Sequence, residues 1–426
     1  MKTLTAAALA ALLAGSASAS QPTITWLEPG YLLTSLSQHG DYGAGNIYGP
    51  FETFRWEAST NTVTALGRST VDTLGGGSGS PDISWDGNSI SATILTSDGL
   101  YMTAGIWSTY NGWIECMPPM PADAKIQDLS MASAWGLSGN GAVLVGLYNI
   151  LSGQAVPMTW SLGTGTVRLP STNGKNARVN AANYNGSVVV GWEDTLGPWW
   201  PMAWRNGVRM PLVPYADVGG GAQAFATNGS GDIIVGQSWD PSLITRVATV
   251  WTWNGVSYDI NRVGYLPGTI FNHGQVYFDG VSNDGKIAVG SNIYTSNPGG
   301  TRDGVIWTQA TGLVRVNDWI ASLGLTIPEN VAQIPELTAI SPDGLTITGI
   351  AMTTDVGYQS FVIKLPPPCP ADTNGDGVIN TLDLGTLLSH FGQSVTPSTN
   401  GDINGDGVVN TLDLGSMLSL FGSSCA

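Results

Sequence analysis

This chain is short of charge, and of positive charge most of all. Only 11% of its 426 residues are Asp, Glu, Lys or Arg, and with just 15 basic residues the formal net charge is −16 at pH 7. That balance argues against nucleic acid or an anionic membrane surface as a partner. Histidine occurs three times, at positions 39, 273 and 390, far apart in the chain. There is no GxSxG elbow, HExxH helix, CxxC pair or phosphate-cradling loop, so no familiar constellation for nucleophilic, zinc or nucleotide chemistry is present. Long apolar runs are missing as well. A bilayer-spanning helix needs about 20 apolar residues, and the run from Leu4 to Leu13 falls short of it. With Lys2 before that run and Ala17-Ser18-Ala19 after it, residues 1–19 read as a secretory signal. The mature chain, beginning near Ser20, is expected to be soluble, exported and without a transmembrane segment.

Cysteine is the last scarcity. Of three, Cys369 and Cys425 bracket the C-terminal stretch, and an exported chain permits a disulfide between them. A bond closing a loop of that size is worth roughly 4 kcal/mol in the chain-entropy model. Cys116, left over and with no His nearby in sequence, reads as a small buried hydrophobe.

What the chain has in quantity is glycine (57) and tryptophan (16). With so little charge, that combination points to many short strands joined by tight turns. A turn-plus-Gly element recurs as SWDGNSISA (84–92), SGNGAVLVG (138–146), NYNGSVVVG (183–191), NGSGDIIVG (228–236), SNDGKIAVG (282–290) and SPDGLTITG (341–349), with a weaker copy, SQHGDYGAG, at 37–45. Each is followed by a Trp element, at Trp56, Trp107, Trp160, Trp204, Trp251 and Trp307, with Phe361 in the seventh place. Each unit therefore reads as a short strand, a polar turn, a strand ending in Gly, a strand ending in Trp, and a last strand. Their Asn-Gly and Asp-Gly pairs favour tight hairpins. Four-stranded units repeating every 40–50 residues are the mark of a β-propeller. The expected fold is mainly β, a seven-bladed β-propeller of four-stranded blades over residues 20–365. Its first and last segments complete one blade together. The Trp residues, following the period of the repeat, read as core between blades.

Outside the turns, the acids available for chemistry are Glu115, Glu193, Asp194, Asp217, Asp240, Asp259 and Asp318, and none forms a recognisable pair. The repeat is interrupted at GWEDTLGPWWP, where Trp192, Trp199 and Trp200 gather near Glu193 and Asp194. Aromatic faces beside carboxylates suit stacking on sugar rings, which makes this cluster a candidate ligand site; core Trp beside solvated acids is the plainer reading.

The most specific signal is C-terminal. After a Pro-rich linker, residues 366–370, one twelve-residue loop appears twice, as DTNGDGVINTLD (372–383) and DINGDGVVNTLD (402–413). Extended to Phe-Gly, the copies agree at 16 of 21 positions with a constant offset of 30. Calcium takes six to eight oxygens, and such a loop offers them from positions 1, 3, 5, 7, 9 and 12. Here these are Asp372, Asn374, Asp376, the Val378 carbonyl, Asn380 and Asp383, then Asp402, Asn404, Asp406, the Val408 carbonyl, Asn410 and Asp413. Gly377 and Gly407 stand at the sharp turn of position 6. Two calcium ions are expected. After the loops, Leu384, Leu387, Leu388 and Phe391, and likewise Leu414, Met417, Leu418 and Phe421, follow helical spacing, predicting two helices that pack together and stop at Gly392 and Gly422.

From Cys369 to the C-terminus this pattern resembles a type I dockerin, a family with two loop-helix units, no entering helices and Asp rather than Glu at loop position 12. The resemblance implies a small α-helical calcium-binding domain over residues 369–426 that docks to a cohesin-like protein or cell-surface scaffold. The family's recognition pairs fall on Thr381-Leu382 and Thr411-Leu412, and identical pairs imply two docking orientations. Many dockerins carry a hydroxyl pair there and a basic pair along the helix, whereas this chain has Thr-Leu and no Lys or Arg after Lys364. The repeats from 37 to 365 are similar to the HAF family of extracellular repeats, which implies no catalytic residues. Three functions follow as expectations: a secreted, non-catalytic propeller tethered through calcium; a polysaccharide hydrolase or lyase tethered in the same way; or a structural surface protein in which calcium serves stability alone.

Overall fold

The protein is described here from a computed structural model that places residues 21–49, 52–68, 79–116, 122–125, 131–172, 174–194, 199–213, 221–269, 274–294, 301–367, 369–374, 376–395 and 399–425. Residues 1–19, read from the sequence as a secretory signal, lie outside these described residues, as do Asp217 and His273. By internal contacts the chain forms two compact units, one of Thr23–Lys364 and one that includes Leu365–Ala426. Among the described residues no helix is long and apolar enough to cross a membrane.

The first unit is built of antiparallel strands, numbered β1 to β28 in chain order. Among the described residues, four sheets have four strands in meander order, one has the order β1-β28-β27-β26, and one has eight strands. In the eight-stranded sheet, a single parallel pairing of Arg246 with Gln275 joins β20 (Thr245–Trp253) to β22 (Gln275–Val281). The first strands of the repeats are β2 (Tyr31–Leu36), β6 (Asp82–Ile83), β10 (Ala132–Leu137), β14 (Ala177–Ala182), β18 (Gln223–Thr227), β22 and β26 (Val331–Ile340). They touch one another in that order and back to β2, which closes a ring. The last sheet is completed by the first strand: β1 (Thr23–Trp26) lies beside β28 (Gly357–Lys364), pairing Trp26 with Phe361. Chain start and end are thereby joined by a ladder of hydrogen bonds, and this sheet gains its fourth strand.

Periodic burial explains the core. Trp56, Trp160, Trp204, Trp251 and Phe361 are buried, and Trp107 and Trp307 are half-buried. The turns are more elaborate than two-residue hairpins. In the second repeat, the Ser84 hydroxyl donates to Asp86 (2.6 Å), the Asp86 carboxylate accepts the Asn88 N–H (3.0 Å), and Gly87 N–H donates to the Ser84 carbonyl (2.9 Å). Gly87 ends the turn at φ +72°, a left-handed conformation that favours glycine. Serine and aspartate thus brace a four-residue turn through their own side chains.

The Gly of each repeat lies inside the second strand, not at its end, and the reason is a bulge. In β14 the pairing slips between Val179 and Ala181, so Asn180 is an extra residue. The same slip leaves Thr34, Trp135, Phe225, Asp279 and Thr338 extra in their strands. Each bulge pushes a backbone carbonyl toward the neighbouring strand. A Cβ on Gly191 or Gly146 would stand 2.0 Å from the carbonyl oxygen of Arg178 or Ser133, closer than any side chain tolerates. Where the repeat has Ala92 instead of Gly, the first strand is the two-residue β6, with no such slip recorded.

A helix that the repeat pattern gave no reason to expect, α1 (Val316–Ser322), follows β25 (Gly312–Arg315) and buries Val316 and Ile320. In the second unit, α2 (Thr381–Ser389) and α3 (Thr411–Leu420) enclose a small core of Ala371, Ile379, Leu387, Val409 and Met417. The full apolar stripes expected of these helices do not go inside. Leu387 and Met417 are buried and Leu384 and Leu414 half-buried, but Leu388, Phe391, Leu418 and Phe421 are exposed. Two helices of nine and ten residues cover only one side of so small a core, which leaves the adjoining rows in water.

Candidate metal centre

Each loop of the second unit folds around carboxylates that collect backbone N–H groups. Asp383, wholly buried, accepts Thr373 N–H (2.8 Å) and Asn374 N–H (3.2 Å) on Oδ1 and Asn380 N–H (2.9 Å) on Oδ2. Thirty residues on, Asp413 is equally buried and accepts Ile403 (2.9 Å), Asn404 (3.1 Å) and Asn410 (2.9 Å) in the same way. Asp372 Oδ2 and Asp402 Oδ2 accept Gly377 and Gly407, each at 2.8 Å. Asp376 and Asp406 turn back to accept Val378 N–H at 3.0 Å and Val408 N–H at 2.9 Å. For Asp376, that N–H and then the Asn374 amide hold the carboxyl below its usual range. The oxygens of Asp372, Asp376 and Asp383 lie within 4.8 Å of one another.

Asn380 and Asn410 do a second job. Their side-chain oxygens accept Leu382 N–H and Leu412 N–H at 2.8 Å, capping α2 and α3, while Asp383 and Asp413 return the capping-box bond. The loop and the first turn of its helix are therefore one hydrogen-bonded piece, with the ninth position shared between cap and cation. Calcium loops often fill that position through a water. The helix N-terminus adds its own partial positive charge beside Asp383 and Asp413.

The loops also brace each other across a pseudo-twofold. Ile379 N–H donates to Ser423 (3.0 Å) and Gly422 N–H to Ile379 (2.8 Å). In the mate, Val409 N–H donates to Gln393 (3.1 Å) and Gly392 N–H to Val409 (2.8 Å). Each loop is thus fastened to the chain that follows the other loop's helix. Cys369 and Cys425 form a disulfide with Cα atoms 5.8 Å apart.

Whether these residues suit calcium follows from charge. Residues 365–426 hold six aspartates and no Lys or Arg. Six carboxylates gathered in two loops, two of them wholly buried, repel one another unless a cation stands among them. Every side-chain donor is oxygen, the hard set that calcium takes and zinc or copper does not prefer. Asp372, Asn374, Asp376, the Val378 carbonyl, Asn380 and Asp383 would hold one ion, and their counterparts Asp402 to Asp413 the other. The ion would neutralise the carboxylates, and the chain's own N–H groups already fix where those carboxylates sit.

In the ring, the sequence-derived acids are placed apart. Glu115 pairs with Arg68 and Asp194 accepts the Asn176 amide (3.1 Å). Asp240 closes a turn with Ser242, Asp259 bonds Asn254, and Asp318 is exposed in the first turn of α1. Glu193 is wholly buried and gripped by Arg209 through two bonds of 2.8 and 2.9 Å. Of the aromatic cluster, Trp192 is buried and stacked at 4.8 Å on the exposed Trp199, while Trp200 donates to the Val213 carbonyl (3.0 Å). Cys116 is free and buried, and burial pushes its thiol pKa far up, so it holds its proton.

The carboxyls that do meet are ones the sequence did not single out. A cavity of about 320 Å³ lies where the first strands converge, and Asp82, Asp279 and Glu336 line it. Asp279 and Glu336 act on each other's charge, and Tyr277 and Arg302 act on Glu336. Burial raises both, Asp279 well above the carboxylate range, and raises Asp82 to about 6 against the N–H bonds from Leu137 and Ile83. The signal that would have found Asp279 and Glu336 is position: they stand three and five residues before the Ser of their turns, where the strand faces the ring axis.

No curated protein matches the chain. Among solved structures, the ring is similar to an oligogalacturonate lyase from Vibrio parahaemolyticus, at 11% identity and TM-score 0.50 over 82% of this chain and 99% of that one. It is also similar to the Cps50 (Swd1) β-propeller domain of Myceliophteria thermophila, at 13% identity and TM-score 0.49 over 80% and 99%. TolB from Acinetobacter baumannii matches at 11% identity and TM-score 0.41 over 77% of this chain and 65% of that one, so the chain spans less than two thirds of that relative. Identities this low speak to fold alone. The C-terminal match is of another kind: residues 370–418, which contain both loops, match the dockerin type I domain, a calcium-binding module that implies a cohesin partner.

Proposed function

We propose that this is a secreted, non-catalytic β-propeller protein attached to a cohesin-like or cell-surface partner by a calcium-dependent dockerin module. In this reading residues 1–19 are the signal, 20–365 the propeller of HAF-type repeats, 366–370 the linker, and 369–426 the dockerin with two calcium ions. The eight-stranded sheet counts as two blades, β18–β21 and β22–β25, held together by one parallel residue pair, which gives seven. The observation that carries the reading is the doubled loop: two oxygen sets with the same hydrogen bonds at an offset of 30 residues, each opening a helix at Thr381-Leu382 or Thr411-Leu412.

The docking surface then has a definite chemistry. Leu382 and Leu412 are 65% and 66% exposed at the helix starts, and Leu388, Phe391, Leu418 and Phe421 are exposed toward the other ends. With no Lys or Arg in the unit, the partner must offer apolar area and not an acidic patch.

A tethered polysaccharide hydrolase or lyase remains the second reading, favoured by the carboxyls in the channel and by the exposed Trp199 beside Asp194. The test is a pull-down from the source organism's envelope and secreted fraction with the full chain, in calcium and in EDTA, beside Asp376→Ala/Asp406→Ala. The tethering reading expects a partner retained in calcium and lost both in EDTA and in the double variant. Retention in EDTA overturns it, as does two-site calcium titration by the double variant.

A further inference from the structure

The propeller's axial cavity is a closed-bottomed cup. At one end the turns are tied in a circuit: Gln38 N–H donates to Trp85 (2.8 Å), Trp85 to Gly139 (2.8 Å), Asn140 to Tyr184 (2.8 Å) and Tyr184 to Gly229 (3.1 Å). Gly229 then bonds the Asn283 side chain (2.9 Å), Asn283 donates to Pro342 (2.7 Å), and Asp343 returns to Gln38 (3.2 Å). Across this circuit lies the Trp85 indole, 4.8 Å from the Tyr184 ring. It fits because two turns carry glycine there; a Cβ on Gly139 or Gly229 would meet the indole at 2.8 or 2.4 Å.

Within the cup, charges of opposite sign stand on different walls. Asp279 on β22 and Glu336 on β26 form one wall. Asp279 Oδ2 is buried and has no hydrogen-bond partner among the described residues. Arg178 on β14 forms another. Its guanidinium lies 3.3 Å over the Trp135 ring and donates to Asn180 (2.7 Å) and Gln223 (3.1 Å), all neutral groups. Around the ring, β14 and β26 are separated by two strands one way and three the other, so the two walls nearly face each other. Phe225, the bulge residue of β18, supplies an apolar face between them.

Elsewhere in the propeller the wholly buried Glu193 and the partly buried Arg205 are neutralised locally. Glu193 is doubly bonded to Arg209, and Arg205 is bonded to Asp232 (2.6 Å). Burying a charge without a counter-charge is costly, yet Arg178 has no ion-pair partner among the described residues, and of the acid pair only Glu336 feels a counter-charge, that of Arg302. A cavity of this volume sits at the small end of ligand sites, roomier than an ion needs. We propose that the axial cup binds a small zwitterion of the amino-carboxylate class, its ammonium against Asp279 and Glu336, its carboxylate against Arg178, and its hydrocarbon along Phe225. This site is separate from the tether and does not depend on it.

Titration calorimetry on the full chain with calcium, at pH 7.5, tests it with a ladder of ω-amino carboxylates from glycine to 6-aminohexanoate. Propylamine and propionate serve as the two halves. One chain length should bind, with each half at least about tenfold weaker. Asp279→Asn, which keeps the side chain's shape and removes its acid, should weaken binding by about thirtyfold or more, and Arg178→Gln by as much. Unfolding is checked by circular dichroism, and if Arg178→Gln loses the fold, Asp279→Asn decides alone. Propylamine or propionate binding as tightly as the best amino carboxylate overturns the proposal. So does unchanged affinity in a folded Asp279→Asn, or no heat from any probe up to about 10 mM.

Discussion

The two units of this chain solve the problem of staying folded in different ways. The ring buries hydrocarbon on a regular beat: Trp56, Trp204 and Trp251 fill it, and the charges Glu193 and Arg209 meet inside it. The C-terminal unit has five buried apolar residues and six aspartates with no basic residue to answer them. Domains of under 60 residues rarely bury enough surface to hold together unaided. Here the Cys369–Cys425 bond and the oxygen loops make up the difference, the bond alone worth about 4 kcal/mol in the chain-entropy model. What one unit takes from its interior, the other takes in part from a crosslink and, on the proposed reading, from calcium.

Removing calcium puts the greatest strain on that contrast. In calorimetry with EDTA, residues 369–426 should lose their transition or melt far lower, because structural metal binding and folding are one equilibrium. The ring's transition should stay where it was. A matching shift in both would erase the distinction between the units.

Acidity should reverse the roles. The ring keeps three acids, Asp82, Asp279 and Glu336, whose carboxyls are raised by burial. A folded state with raised carboxyl pKa values holds more protons than the unfolded chain between the ordinary carboxylate pKa near 4 and the folded value. Stability is therefore full at the acid end of that window and falls as pH rises through it. For Asp82, held at about 6, the loss between about pH 4 and 7 is roughly 3 kcal/mol. The ring should thus melt higher at pH 5 than at pH 8. The calcium unit should do the opposite, since protons compete with the cation for its aspartates. Asp279→Asn should flatten part of the ring's profile; a ring whose melting temperature rises with pH over this range would contradict the buried-acid account.

Within the ring, the repeats can be set against one another. Gly191→Ala drives a Cβ to 2.0 Å from the Arg178 carbonyl and should cost about 1–3 kcal/mol. The unit that already carries Ala92 has no slip recorded, so Ala92→Gly should cost under about 1 kcal/mol, through added freedom in the unfolded chain. Thermal melts of the two variants distinguish a steric need from a habit of the sequence, and equal losses would remove the bulge as the reason for the glycine.

That pair also marks where the sequence stops being readable. The beat of turn, Gly and Trp announced short strands and the meander, because burial and turn geometry act locally on residues 84–92 or 183–191. The doubling of the loops and their matching hydrogen bonds were equally open, since each lies within one short stretch. The meeting of Asp279 with Glu336 was closed to inspection. These acids stand 57 positions apart and become neighbours only when β22 and β26 take adjacent places around the axis. Nor does a list of acids show which are already taken: Glu193 looked available until Arg209, 16 residues on, was seen to hold it. The exposed Leu388 and Phe391 fail for a related reason. Helical spacing says which residues share a stripe, not how wide a neighbour will cover it.

The smallest effect expected is at the docking pairs. If the pseudo-twofold offers equivalent faces, replacing Thr381-Leu382 with Ala-Ala leaves Thr411-Leu412 to bind, and affinity should fall only by the factor of two lost with one of two equal orientations. Replacing both pairs should remove binding, because Leu382 and Leu412 are the most exposed leucines of the unit and each helix has no second anchor like them at its start. A single replacement that abolishes binding would mean the loops, alike in sequence and hydrogen bonding, present unequal surfaces. The asymmetry would then have to come from the few positions where the copies differ, such as Thr373 against Ile403 or His390 against Leu420.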